Sequence, residues 1–125
     1  MTNSFEQAGM ALGYARFRPP VHRKIVERAL APGMVFHRAL DVGCGAGVST
    51  PALAGFVDWA MGMEPVAGML PRQAGFFAGA AEAIPVSADS IDLMTAAGSL
   101  NYADLDRFFP EAARVLRANG LLVVY

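Results

Sequence analysis

The residues best suited to chemistry lie in a glycine-rich stretch that follows a short apolar segment. Gly43, Gly45 and Gly47 alternate with other small residues, and Asp41 stands two positions before the first glycine. Glycine tolerates positive φ and lets the backbone approach a ligand that a Cβ atom would push away. We interpret this stretch as a binding loop that joins a buried strand to a helix.

A second acidic residue, Glu64, stands 23 positions after Asp41 and also follows an apolar segment. One strand, a loop, a short helix and a second strand consume a comparable length before an acidic side chain can meet ribose hydroxyls. The glycine loop and the two carboxylates together therefore predict a nucleoside site.

The elements that must position these residues follow from the apolar pattern. Apolar segments of strand length alternate with segments of helical spacing, which predicts an α/β fold with a doubly wound, mostly parallel sheet. Residues 1–38 are expected to form a helical arm and residues 39–125 the α/β core. Strands are expected at 39–42, 57–63, 76–78, 91–97 and 121–125, and helices at 21–30, between Ser49 and Gly55, at 66–74 and from Asp104 to Asn119.

Single positions carry local expectations. Ser49 is expected to cap the helix after the glycine loop, and Pro110 to bend the last helix or mark a late start. His22 falls on the polar face of the first helix, so we expect it at the surface. By residue type alone, His22 and Tyr14 are the candidates for a general base.

Composition limits the classes of protein that fit. The chain has 125 residues, enough for one domain, and its 54% apolar and 17% charged residues suit a sheet covered on both faces. A net charge of −1 gives no general attraction to nucleic acid. With Cys44 as the single cysteine and two histidines, neither a disulfide nor a metal site is expected. Because no apolar run reaches about 18 residues and the start is polar, we expect no membrane span and a cytoplasmic location.

Five motifs resemble those of the class I S-adenosylmethionine-dependent methyltransferases, particularly the small-molecule group that includes quinone-biosynthesis enzymes. The motifs occur in the family's order and at its spacing, at residues 40–47, 62–65 with 69–70, 79–85, 90–93 and 111–120. The resemblance implies a Rossmann-like methyltransferase fold with S-adenosyl-L-methionine as cofactor and S-adenosyl-L-homocysteine as product. It also implies methyl transfer to a small-molecule acceptor by in-line displacement.

The sheet of this family normally continues beyond its fifth strand. The resemblance therefore implies a C-terminally short member that lacks the last strands. Because an apolar open edge invites pairing with another chain, we expect either a missing C-terminal segment or a homo-oligomer to cover the fifth strand.

The resemblance also implies roles for individual residues. Asp41 would orient the amino group of the donor, and Glu64 would accept hydrogen bonds from both ribose hydroxyls. The implied cofactor-binding residues are Asp41, Gly43, Cys44, Gly45, Gly47, Glu64, Pro65, Met69, Ala81, Glu82, Ala97 and Gly98. The candidate acceptor contacts are Tyr14, Arg18, Asn101 and Tyr102.

Further expectations concern the adenine and the reaction itself. Met63, Pro65 and Met69 would form the adenine slot, and the backbone of 81–82 would meet the adenine edge. Ala80 stands where many relatives have an aspartate. No catalytic residue is identified, because an activated methyl donor requires mainly alignment and exclusion of water.

Two other functions stay open from the sequence. The absent last strands favour a non-catalytic or truncated S-adenosylmethionine-binding module, and the glycine loop alone is also compatible with an NAD-dependent oxidoreductase. Val48 argues against the latter, because it stands at the sixth loop position, where a Rossmann dehydrogenase has glycine. Single residues also have alternative roles. Asp41 could cap neighbouring backbone amides, and Asp92 could be structural. Cys44 is expected to be a small residue that the turn tolerates rather than a nucleophile.

Overall fold

The computed structural model describes residues 21–125 and places five strands in one sheet. The strands are β1 (Phe36–Val42), β2 (Val57–Glu64), β3 (Phe76–Ala78), β4 (Ile91–Ala96) and β5 (Leu116–Val124). The helices are α1 (Val21–Ala29) and α2 (Leu105–Val115), and short 3-10 helices lie at Thr50–Leu53, Ala67–Met69 and Ser99–Tyr102. Tyr14 and Arg18 of the predicted arm lie outside the described residues.

All strand pairs are parallel, and the order in the sheet is β3-β2-β1-β4-β5. The chain builds outward from β1 to β3 and then returns to place β4 on the other side of β1. This confirms the predicted α/β fold with a parallel sheet. In such sheets ligands bind beyond the carboxyl ends of the strands where the order reverses, which here is between β1 and β4.

The two helices cover opposite faces of the sheet. Successive strand residues point to opposite faces, and in β1 Leu40 belongs to the same apolar cluster as Phe108 and Val115 of α2, whereas Ala39 clusters with Val26 of α1. Phe108 has no exposed surface. Burial of a side chain of this kind stabilises the fold by about 1.5–3 kcal/mol.

The predicted helices after β1 and β2 are only short 3-10 helices. Glycine and proline interrupt both segments, as at Gly55 and Pro71, and neither residue supports an α-helix interior. Ser49 stands at the cap position of the first, but its side chain makes no capping bond. It donates instead to the Asp41 carboxylate.

The boundary between α2 and β5 also differs from the prediction. α2 ends at Val115, and Leu116 pairs with Ile91 of β4, so Leu116 is a half-buried strand residue rather than part of the buried helix face. The register between β4 and β5 shifts shortly afterwards, and Asn119 there has a φ of 68°. An Asn-Gly pair suits a helix stop as well as a bulge, which is why the predicted helix was too long.

Three further boundaries are defined by the structure. Asp104, the predicted start of the last helix, caps α2, because its carboxylate accepts the Asp106 N–H at 3.1 Å. Pro110 lies inside α2, which begins five residues before it, so the proline does not mark a late start. β1 begins at Phe36, so the predicted boundary between residues 38 and 39 falls inside a strand.

Asp92 joins the beginnings of two neighbouring strands. Its carboxylate accepts the main-chain N–H of His37 at 2.7 Å and that of Arg38 at 2.7 Å. Partial burial raises the pKa of Asp92, but the backbone donors outweigh it and leave that pKa below its ordinary value. The structural role expected for this acid matches these contacts.

Candidate functional site

A cavity of about 330 Å³ lies at the carboxyl ends of β1, β2 and β4. Its size falls in the range of small-molecule sites. Every predicted cofactor-binding residue except Asp41 and Gly47 lines it. Of the predicted acceptor contacts within residues 21–125, Tyr102 lines the cavity and is 77% exposed, whereas Asn101 does not line it.

The glycine loop is fixed to the end of the neighbouring strand. The backbone N–H groups of Gly43 and Cys44 both donate to the carbonyl of Met63, at 2.7 and 3.0 Å. Gly43, Gly45 and Gly47 have φ of 69°, 56° and 83°, a region that other residues rarely adopt. The loop conformation therefore depends on glycine at all three positions, as the sequence predicted.

At two of the three loop glycines, the absent Cβ leaves room for other parts of the protein rather than for a ligand. A Cβ atom on Gly43 would overlap the side chain of Ser99, and one on Gly47 would lie 2.7 Å from a proline ring. At Gly45 the nearest atom would be the Met69 methyl at 3.3 Å. The first and third glycines thus serve internal packing, and Gly45 leaves the loop backbone open toward the cavity it lines.

Glu64 ends β2 and is held at both oxygens. Oε1 accepts the N–H of Gly45 at 3.0 Å, and Oε2 accepts the N–H of Val66 at 2.8 Å. The residue is only 7% exposed, yet it lines the cavity. Each carboxylate oxygen can accept a second hydrogen bond, so the site retains two acceptors of fixed position.

Asp41 lies behind the loop rather than on the cavity wall. It is 1% exposed. Oδ2 accepts the hydroxyls of Ser49 at 2.5 Å and Thr50 at 2.8 Å, and Oδ1 accepts the hydroxyl of Thr95 at 2.9 Å. Burial raises the pKa of Asp41, although the three hydroxyl donors act against that rise. Its contacts are hydroxyls rather than the backbone amides of a cap, and among them Ser49 lines the cavity.

Cys44 is a buried thiol in the same loop. Burial, followed by the negative charges of Asp41 and Glu64, raises the pKa of Cys44 to about 12. A thiol nucleophile reacts as the thiolate, which is scarce at neutral pH under these conditions. The expectation that Cys44 is a small loop residue rather than a nucleophile agrees with this environment.

The apolar part of the wall beside Glu64 comes from Pro65, Val66 and Met69. Met63, expected in the same slot, has no exposed surface and belongs to the core. Side chains alternate along a strand, but the strand end alone did not reveal which methionine faces the core. Val66 was missed because no polar or small residue marks it.

His22 corrects a sequence expectation. It was expected on the surface, but it is 4% exposed and lines the cavity. Its Nδ1 lies 3.1 Å from the Tyr125 hydroxyl, and the rings meet edge to face at 5.7 Å. The spacing held a signal, because His22 precedes the buried Val26 by four residues and therefore shares its helix face.

Between residues 21 and 125, no three His, Cys, Asp or Glu side chains are placed to hold a metal ion. No helix in this same range has the length and apolarity needed to cross a bilayer.

The parallel sheet, the glycine loop and the acid that ends β2 define a class I methyltransferase domain. Residues 40–124 match the family described as Methyltransferase domain, so the chain belongs to this S-adenosylmethionine-dependent family. It is 32% identical over 121 residues to an uncharacterized methyltransferase of Mycobacterium tuberculosis, covering 91% of this chain and 49% of that protein.

Solved structures share the fold. The YcgJ protein of Bacillus subtilis superposes with a TM-score of 0.70 at 24% identity, covering 82% of this chain and 49% of that one. Phosphoethanolamine N-methyltransferase 1 of Haemonchus contortus, in complex with phosphoethanolamine and S-adenosylhomocysteine, superposes with a TM-score of 0.68 at 18% identity, covering 96% and 31%. The chain spans about a third to a half of the length of the curated relatives it matches.

Proposed function

We propose that this chain binds S-adenosyl-L-methionine in the cavity and transfers its methyl group to a small-molecule acceptor. The observation that carries the proposal is the position of Glu64, a buried carboxylate on the cavity wall that is bonded to the glycine loop at Gly45. An acid held at both oxygens presents its remaining lone pairs in fixed directions, which suits the two vicinal hydroxyls of a ribose.

The other cavity residues fit the remaining parts of the donor. Pro65 and Met69 offer apolar surface for the adenine, with residues 81–82 at its edge, and Ala97 and Gly98 leave space for the methionine portion. The negative charge of Glu64 favours the cationic donor, because opposite charges attract strongly in a partly dry site. Asp41 supports the loop through Ser49 in this proposal and does not touch the ligand.

The chemistry requires little from the protein beyond alignment. S-adenosylmethionine, when bound, supplies a sulfonium methyl group: an acceptor lone pair forms the new bond to carbon while the carbon–sulfur bond breaks, and its electrons stay on the sulfur of S-adenosylhomocysteine. The chain's residues orient the reactants and exclude water. We assign no general base.

A donor-binding module without catalysis is the second candidate. It is kept as a candidate because the cavity residues named above are assigned to donor binding, and none of them is assigned a role in the transfer step. A nicotinamide dinucleotide fits less well, because Val48 lines the cavity at the sixth loop position, where dinucleotide sites have glycine. The cytoplasmic location and the cover of β5 by a further segment or a second copy stay predictions.

Calorimetry tests the donor assignment. The chain should bind S-adenosylhomocysteine and not NADH. Glu64→Gln should weaken binding at least about tenfold, because an amide replaces one of the two acceptors. Glu27→Gln is the matched control, since Glu27 is half exposed on α1 in a pair with Arg23, and it should leave binding unchanged. Binding of NADH alone would overturn the proposal.

Transfer is tested separately from binding. The chain and any longer natural version are each incubated with methyl-labelled S-adenosylmethionine and a small-molecule extract, and labelled products are separated by mass. Label in the small-molecule fraction with this chain supports catalysis. If this chain binds the donor but transfers no label, and the longer version does transfer it, this chain is a donor-binding module.

A further inference from the structure

The connection between β3 and β4 forms one wall of the cavity without a helix of its own. It runs from residue 79 to residue 90, and Ala80, Ala81 and Glu82 line the cavity. Within it only Ile84 is buried. Its own regular structure is limited to an isolated bridge between Ala80 and Ala83, so a connection of this length depends largely on outside contacts to hold one conformation.

Two charged residues of α2 hold the middle of this connection. Glu111 accepts the Ile84 N–H at 2.8 Å. The Arg114 guanidinium donates to the Ile84 carbonyl at 2.7 Å and to the Val86 carbonyl at 2.9 Å. Both main-chain groups of Ile84 are thus bonded to one helix, two residues after the cavity wall.

The two side chains also hold each other. Arg114 Nε donates to Glu111 Oε2 at 2.7 Å, and Nη2 donates to Oε1 at 3.1 Å. A forked contact of this type fixes the guanidinium plane as well as its position. Neither side chain lines the cavity, so any effect on a ligand passes through the 79–90 connection.

We propose that Glu111 and Arg114 are positioning residues for base recognition. They set the backbone of residues 80–82 and so determine selectivity for adenine over other purine bases. This inference rests on the proposed function, in which that backbone meets the adenine edge. The competing explanation is that burial of Ile84, the Gly79 N–H bond to the Glu64 carbonyl and the Ala83 N–H bond to the Ala80 carbonyl fix the connection by themselves.

The experiment compares two ligands that differ only in the base. Calorimetry measures S-adenosylhomocysteine and S-inosylhomocysteine, in which an oxygen replaces the adenine amino group and N1 carries a proton. The wild-type chain should prefer the adenine form about tenfold, a factor of the order that one well-placed hydrogen bond gives. In Arg114→Gln the ratio should fall below about threefold. Because both ligands share ribose and homocysteine, a general loss of fold would weaken both and leave their ratio.

Three further variants complete the design. Arg107→Gln is the control on the same helix: Arg107 is exposed, and its side chain makes no hydrogen bond to any residue between 21 and 125, so the ratio should stay at the wild-type value. Arg114→Lys should give an intermediate ratio, because lysine keeps the charge but not the fork. Glu111→Gln, which keeps an oxygen for the Ile84 N–H, should also be intermediate and replaces Arg114→Gln if that variant fails to fold.

Hydrogen exchange gives the direct structural readout. Amides of residues 80–84 and 86 should exchange faster in Arg114→Gln than in the wild-type chain, while those of β1 keep their rates. A wild-type chain that selects adenine, with an unchanged ratio in Arg114→Gln, would overturn the inference and leave the proposed function intact. A wild-type chain that binds both ligands equally would do the same. Failure to bind S-adenosylhomocysteine at all would contradict the proposed function itself.

Discussion

Two separate constraints require glycine at position 43, and their contributions to the unfolding free energy can be measured separately. Gly43 has positive φ, and a Cβ atom there would overlap Ser99, whereas Gly33 has positive φ with no atom within 4 Å of a Cβ. Gly33→Ala should therefore cost only the backbone strain, about 1 kcal/mol of unfolding free energy. Gly43→Ala should cost about 3 kcal/mol, because overpacking adds to that strain. Urea unfolding measures both values, and equal losses would show that the contact with Ser99 is unimportant.

At the residue scale, the sequence predicted the positions of the two important acidic residues better than it predicted their hydrogen-bond partners. Asp41 and Glu64 were found because each follows an apolar strand. The hydroxyl that Thr95 gives to Asp41 comes from 54 residues away, and no local pattern joins the two. Glu64 faces the cavity as predicted, but the backbone bond from Gly45 becomes visible only when β1 and β2 lie side by side.

At the element scale, the hydrogen bonds that Asp92 of β4 accepts from β1 should make the unfolding free energy depend on pH. The pKa of this carboxyl is lowered on folding, so its stabilisation is complete above the unfolded value near 3.8 and is lost as pH falls through the folded value. Asp92→Asn should lower the unfolding free energy by about 1–2 kcal/mol at pH 7. The difference in unfolding free energy between the variant and the wild-type chain should become smaller as the pH falls below about 4. Urea unfolding at a series of pH values measures this difference.

Asp58→Asn is the matched control for that measurement. Asp58 meets the same residue, His37, but through an exposed side-chain contact of 2.8 Å. Exposed pairs contribute little, so its loss should stay within about 0.5 kcal/mol at pH 7. A gap for Asp92→Asn that does not change with pH would mean that the backbone bonds do not depend on the charge.

The sequence predicted which segments form strands better than where helices end. Each predicted strand overlaps an observed one, and β3 lies at the predicted residues, 76–78. Helix boundaries depend on residues that suit two structures, such as Asn119 before a glycine, and tertiary pairing of Leu116 decided between them. The surface position predicted for His22 was wrong because its polar residue type favoured the surface, whereas its four-residue spacing from Val26 placed it on the buried helix face. The side-by-side order of the strands is a property of packing between distant segments, and the order of the motifs along the chain did not predict it.

At the scale of the whole molecule, ligand binding should stabilise the fold as a unit. The cavity is lined by segments that follow β1, β2, β3 and β4, so unfolding any of them removes the site. S-adenosylhomocysteine at about 100 times its Kd should add about 2.7 kcal/mol, which raises Tm by about 10 °C for a domain of this size. Calorimetric or fluorescence melting measures the rise.

Glu64→Gln provides the comparison at the same ligand concentration. A tenfold weaker site would be stabilised by only about 1.4 kcal/mol, so the rise in Tm should be about half that of the wild-type chain. An equal rise in both proteins would show that the ligand binds away from Glu64.

The contacts of α2 with the 79–90 connection have a consequence for how the protein is made. Arg114 follows Ile84 by 30 residues, so the ribosome adds the arginine about 2–6 s after the isoleucine at ordinary rates of synthesis. During that interval the nascent chain already contains the glycine loop and Glu64, and the Gly79 N–H can bond the Glu64 carbonyl, but both main-chain groups of Ile84 lack their partners on α2. A chain stalled before this helix should therefore hold residues 80–82 less firmly than the complete chain does, even though the glycine loop and Glu64 have been translated.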